Sequence, residues 1–94
     1  MKVGFVAAHY PQPAHFDEFV ARVHQVAEVL RSTPGCLFAE CWVTADGDAV
    51  VSTAQWESDE AFAASFAAVR DADVDVVFDE RERRPRQIFK LLPG

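Results

Sequence analysis

From Lys2 to Tyr10 the chain alternates, with Val3, Phe5, Ala7 and His9 on one parity and Gly4, Val6, Ala8 and Tyr10 on the other. A period of two predicts a strand, and Pro11-Gln12-Pro13 ends it. From Ala14 to Ser32 the spacing changes to three and four, through Phe16, Phe19, Val20, Val23, Val26, Ala27 and Leu30, with Asp17 and Glu18 near the start. That spacing predicts a long amphipathic helix with acidic residues at the positive end of its dipole, closed by Thr33-Pro34-Gly35. Two β-rich runs follow, Cys36 to Thr44 and Ala49 to Glu57, around Asp46-Gly47. Asp-Gly favours a two-residue hairpin turn in which both positions take positive φ. Ser58 can cap a second helix, in which Phe62, Ser65, Phe66 and Val69 form the inward stripe as far as Arg70. Asp71 to Glu80 alternates valine and aspartate in a way that fits either a short strand or an irregular connector. Glu82 to Leu92, with Pro85 near its start, reads as a fourth strand.

The order is βαββαβ over residues 1–94, without a repeat or a linker, which predicts one α+β domain. Both crossovers are right-handed, so both helices fall on one face of a ferredoxin-like antiparallel sheet. A turn at Asp46-Gly47 places Val43 opposite Val50, Cys41 opposite Ser52, Ala39 opposite Ala54 and Leu37 opposite Trp56 on that face. The other face then carries Phe38, Trp42 and Val51, too apolar for open surface, and predicts a homodimer through the sheet. Beneath the helices the small residues Ala39, Cys41, Ser52 and Ala54 lie beside the large Trp56, which leaves room for a pocket. The competing reading is that Phe16, Phe19, Phe62 and Phe66 fill that room as ordinary core.

Composition narrows the classes of function. Half of the 94 residues are apolar and eight are Phe, a globular composition. A core of this size barely offsets the ordering entropy, so burial in a dimer would help. Nine Lys and Arg against fifteen Asp and Glu give a charge of −6, which argues against a nucleic-acid partner. The start of the chain has no long apolar leader, and no stretch approaches the roughly 18 apolar residues of a membrane span, so a cytoplasmic protein with no membrane partner is expected. Cys36 and Cys41 differ in parity along one strand, point to opposite faces and are expected to be free thiols.

Among groups that could carry chemistry, His9 shares the parity of Phe5 and Ala7 at the end of the first strand, where it is either a general base at a pocket mouth or a surface residue. Tyr10 can donate to a ligand or anchor the proline turn. In the run Arg81, Arg83, Arg84 and Arg86, Arg86 is the candidate to reach an acidic or phenolate ligand, the rest pairing with nearby acids. His15 lies at the helix entrance and His24 on its polar arc. Asp71, Asp73, Asp75 and Glu82 have the spacing of a calcium loop, but Val76 stands where such a loop needs Gly.

The segments Pro34-Gly35-Cys36-Leu37, Glu40-Cys41-Trp42, Asp46-Gly47, Trp56-Glu57-Ser58 and Glu60-Ala61-Phe62 resemble the antibiotic biosynthesis monooxygenase (ABM) family, over essentially the whole chain. The resemblance implies a dimeric α+β barrel with a pocket in each subunit. It also implies oxygenases that turn anthrone-like phenols into quinones with dioxygen and neither metal nor flavin, and relatives that cleave haem. The quinone-forming members keep an Asn four residues before the strand-three Trp; here that position is Ser52, and the chain has no Asn. The haem-cleaving scheme needs a His after that Trp, whereas His9, His15 and His24 all precede Trp56.

The reading that follows is a cofactor-independent monooxygenase acting on an aromatic or polyketide-like phenol, with no metal. His9 would be the base, Ser52 a hydrogen-bond donor and Trp56 a cavity wall, with Tyr10, Phe16, Phe62, Phe66 and Arg86 against the substrate. The alternatives are a dimeric module that binds a small molecule without turning it over, and an isomerase or lyase on the same fold.

Overall fold

The computed structural model describes residues 1–94. Its elements are β1 (Val3–His9), α1 (Phe16–Arg31), β2 (Cys36–Val43), β3 (Val50–Trp56), α2 (Asp59–Asp71) and β4 (Gln87–Leu91), with a short 3-10 turn at Pro13–His15 leading into α1. The four strands form one antiparallel sheet in the order β2-β3-β1-β4, the ferredoxin-like arrangement that the element order predicts.

Local chemistry fixes the helix ends. Pro13 suits the first turn, where its missing N–H has no partner to lose. Asp17 and Glu18 occupy the first turn of α1, and Arg31 occupies its last. The helix stops at Ser32, and Gly35 takes φ +88°, the left-handed conformation a chiral residue resists. Its carbonyl accepts from the backbone N–H of Glu57 at 2.9 Å, which ties the end of α1 to the end of β3. Ser58 caps α2 by accepting from the N–H of Ala61 at 3.1 Å.

The hairpin keeps the expected pairs Val43 with Val50, Cys41 with Ser52 and Ala39 with Ala54. Its turn differs. Only Gly47 has positive φ, and the loop is wider than two residues, closed by the Thr44 N–H donating to the Ala49 carbonyl. The Thr44 hydroxyl accepts from the N–H groups of Asp48 and Ala49, so a side chain stabilises the longer loop. At the far end a bulge between Cys36 and Phe38 takes Leu37 out of register; Cys36, not Leu37, faces Trp56.

The core lies between the helices and one sheet face, with Val3, Ala27, Leu30, Ala39, Ala54, Trp56, Ala61 and Val69 buried together. Phe19, Val23 and Val50 form a second cluster toward β1's end. On the opposite sheet face Trp42 is 55% exposed, Phe89 53%, Leu91 45% and Phe38 40%, with Val51 half-buried among them. Neither helix is long and apolar enough to cross a membrane.

Candidate functional site

A cavity of about 210 Å³ lies on the helix side of the sheet, over β1 and β4. Its floor is Phe5, Ala7 and His9 of β1, Ser52 of β3 and Ile88 of β4. Phe19, Arg22, Val23 and Val26 of α1 and Phe66, Val69 and Arg70 of α2 form its walls, and Asp75, Val76 and Arg86 complete it. The location follows from packing. Small residues at Ala39 and Ala54 let Leu30 and Ala27 pack closely over β2 and β3, whereas β4 is exposed along its length. Over that edge the irregular segment between α2 and β4 is the cover.

That segment is held by arginines. Arg22 donates from Nε to the Asp75 carbonyl at 2.8 Å and from Nη2 to the Val77 carbonyl at 2.9 Å and to the Asp75 carboxylate at 3.1 Å. Arg86 donates to the Val76 carbonyl at 3.0 Å and to the Glu82 carboxylate. The backbone of residues 81–83 bonds to that of 10–12, through the Gln12 N–H to the Arg81 carbonyl at 2.7 Å and the Arg83 N–H to the Tyr10 carbonyl at 2.9 Å. This pairing brings Glu82, whose side chain is fully buried, to His9, with Oε1 at 3.6 Å from Nδ1.

The two are too far apart for a hydrogen bond and close enough for their charges to interact. Burial of the imidazole is the largest influence on His9 and lowers its pKa from 6.5; the Arg86 charge pushes the same way, and Glu82 pulls against them. His9 is therefore neutral at neutral pH, with a carboxylate beside it to stabilise the imidazolium that proton uptake would form. Arg22 is also pushed down, by burial first. Four buried polar atoms lack partners: His9 Nδ1, Arg22 Nη1, Glu82 Oε1 and Arg86 Nε.

Of the residues picked from sequence, the cavity brings together His9, Ser52, Phe66 and Arg86. Trp56, Tyr10, Phe16 and Phe62 lie outside its lining. Trp56 is fully buried and its indole N–H donates to the Ser65 hydroxyl at 2.8 Å. Phe62 stands edge-on to it at 5.0 Å between ring centres, and Phe66 lies at 5.6 Å from it. Aromatic packing thus fills the space expected beside Trp56, and Phe16 packs with the Phe19 cluster. Tyr10 donates to Gln87 at 2.6 Å beneath the Arg84 guanidinium, so it anchors the chain near β4.

Arg22 and Glu82 were not legible as site residues. Arg22 had a signal, a cation inside the stripe Phe19, Val23, Val26 on α1. Glu82 had only the spacing of a calcium loop and nothing that pointed to His9, because its place depends on pairing with Pro11, far away along the chain. In the rest of the basic run only Arg81 pairs locally, with Asp79 and Asp75; it also reaches Glu18, and Arg83 and Arg84 pair with Asp48 in the hairpin loop. Asp75 and Glu82 are thus engaged by arginines, and no three His, Cys, Asp or Glu side chains cluster as metal ligands. Cys36 and Cys41 are free thiols, and burial pushes both up in pKa. His9 is the one histidine in the cavity lining, and no histidine follows Trp56.

A ferredoxin-like sheet with both helices on one face and a cavity beneath them places the chain in the α+β class. Within that class, the chain belongs to the Antibiotic biosynthesis monooxygenase family, whose sequence profile matches residues 3–69. Among solved structures it is similar to Rv0793 from Mycobacterium tuberculosis, with a TM-score of 0.82 at 21% identity, covering 100% of this chain and 96% of that one. It is also similar to SnoaB, a cofactor-independent oxygenase from Streptomyces nogalater solved as the mutant N63A, with a TM-score of 0.73 at 16% identity, covering 98% and 92% of the two chains. At these identities the likeness is one of fold. No curated protein sequence matches the chain.

Proposed function

We propose that this protein is a cofactor-independent monooxygenase that oxidises a small phenol in the cavity over β1 and β4. The observation that carries the reading is a largely buried His9 on the cavity floor with the Glu82 carboxylate behind it and Arg86 in the same lining. His9 takes the phenolic proton, and Arg86 and the Ser52 hydroxyl favour the electron-rich anion that results. That anion reduces dioxygen. One oxygen atom becomes the new quinone carbonyl, and the other leaves as water with the two hydrogens lost from the phenolic hydroxyl and the ring carbon. Trp56 acts as the packed wall behind Phe66 rather than as a ligand contact. Family membership and the cofactor-independent oxygenase among the similar structures support the class of reaction.

The protein is proposed to work as a homodimer in the cytoplasm, with each sheet face of Phe38, Trp42 and Val51 covered by its partner's. The support is the exposed apolar area on that face. A second reading, a dimeric module that binds without turnover, is favoured by Ser52, which offers a single hydroxyl where quinone-forming relatives have Asn. Oxygen uptake in metal-free buffer, with phenols of one to three rings, separates the two. Turnover that falls at least about a hundredfold in His9→Ala supports the oxygenase, since general-base catalysis contributes that much or more. Binding of the same phenols without oxygen uptake would establish the module.

A further inference from the structure

We propose that the ligand of this cavity carries a carboxylate, as a one-ring aromatic acid does, and that Arg22 is the residue that binds it. The inference rests on the reading that the cavity over β1 and β4 is the ligand site.

Arg22 projects from the apolar stripe of α1, and its side chain is only 9% exposed. Its guanidinium lies 4.3 Å over the Phe19 ring. Nε and Nη2 hold the segment at Asp75 and Val77, which leaves Nη1 buried and without an acceptor on a side chain that lines the cavity. A latch needs only the two nitrogens already engaged. The third is a surplus donor in a place where an unmet donor is costly.

The charges around it do not balance. Arg22 and Arg86 bring two largely buried positive charges to the cavity wall, and the exposed Arg70 is a third. Glu82 is the fully buried carboxylate among them and pairs with Arg86. Asp75 faces Arg22 but is 46% exposed and shares its other oxygen with Arg81 at 3.2 Å. One buried positive charge is thus opposed mainly by a solvated, shared carboxylate. A neutral ligand would deepen that imbalance by displacing water. A monoanion would end it, and a carboxylate matches a guanidinium edge in geometry as well as charge.

Size limits the acid. A dry apolar cavity of about 150 Å³ admits benzene, and this one, at about 210 Å³, has room for one ring, a carboxylate and a small substituent. Phe5, Phe66 and Val23 give the ring its apolar contacts, and a phenolic hydroxyl on the same ring would remain available to His9.

The test compares 4-fluorobenzoate with 4-fluorobenzyl alcohol on the full-length protein by fluorine NMR, with amide spectra to locate binding and ¹⁵N spectra of the arginine side chains. The expected result is tighter binding of the acid by on the order of tenfold or more, the effect of one charge-assisted hydrogen bond. Amide shifts should appear at Ser52 and Val23, an Arg22 side-chain resonance should move with the acid alone, and Arg22→Gln should abolish the preference. Equal binding of both probes in the cavity, or an unmoved Arg22 resonance, would overturn the carboxylate assignment while leaving the ligand site standing. Absence of shifts at Ser52 and Val23 with either probe would overturn both. Because Arg22→Gln also loosens the segment at Asp75, the wild-type comparison decides the question without it.

Discussion

Ser65→Ala tests whether Trp56 is core or site. The Trp56 indole N–H donates to the Ser65 hydroxyl at 2.8 Å, and both side chains are fully buried. The same hydroxyl bonds that of Thr33, which keeps the Leu30 carbonyl as an acceptor at 2.7 Å. Removing the Ser65 oxygen therefore strands the indole donor in an apolar core, at a cost of about 1–3 kcal/mol. Each kcal/mol lowers the melting temperature by about 4–8 °C in a domain of this size. In a Trp56→Phe background no donor remains to be stranded, so the same Ser65→Ala change costs much less there. The double-mutant cycle should return a coupling of about 1–2 kcal/mol. Urea unfolding at one fixed protein concentration measures all four proteins without confusing stability with association. A Ser65→Ala loss below about 0.5 kcal/mol, or a cycle additive within that limit, would refute the argument that this bond anchors Trp56 in the core.

Gly35→Ala should destabilise by about 2–4 kcal/mol, since it places a side chain at φ +88° and a Cβ 2.6 Å from that of Ala61. Ala61→Gly added to it should restore the part due to overlap, again read by urea unfolding. The lowered pKa of His9 means the unfolded chain binds the proton more readily, so His9's contribution is full above pH 6.5 and declines as the pH falls from there toward its folded value. Stability measured from pH 7 to 5 should fall more steeply in wild type than in His9→Phe, and parallel curves would count against a buried neutral imidazole. Glu82→Gln removes the influence that raises His9 and should move its NMR titration to lower pH. Trp42→Glu places a charge on the apolar sheet face and should give a monomer by sedimentation; a wild-type monomer would remove the case for a partner there.

The periodic parts of the chain were readable because periodicity reports burial directly. Val3 to His9, the α1 stripe and the Ser58 cap each gave their element to within a few residues. The hairpin register was readable even though its turn was not. Register depends on a pattern of alternating faces, whereas the loop depends on the Thr44 hydroxyl choosing backbone donors. Leu37 was misplaced because a bulge adds a residue without disturbing the alternation on either side. The cavity was expected over β2 and β3, where the small residues are. Small residues there admit Leu30 and Ala27 instead, and the unfilled volume moves to the edge that neither helix covers.

That displacement bears on how far family membership reaches. The profile match ends at residue 69, within α2. It includes the floor residues Phe5, His9 and Ser52 and the α1 wall, but not Asp75, Val76, Glu82 or Arg86. The carboxylate behind His9 and the Arg86 guanidinium therefore come from the part of the chain the family pattern does not describe, an aperiodic segment fastened by Arg22 and by the pairing of 81–83 with 10–12. A segment held by a few arginine contacts can change its residues without disturbing the buried sheet and helices. The fold follows from membership. In the proposed reading the charge that selects a ligand and sets the base comes from residues 72–86, as Glu82 against His9 and Arg86 with Arg22 in the cavity lining.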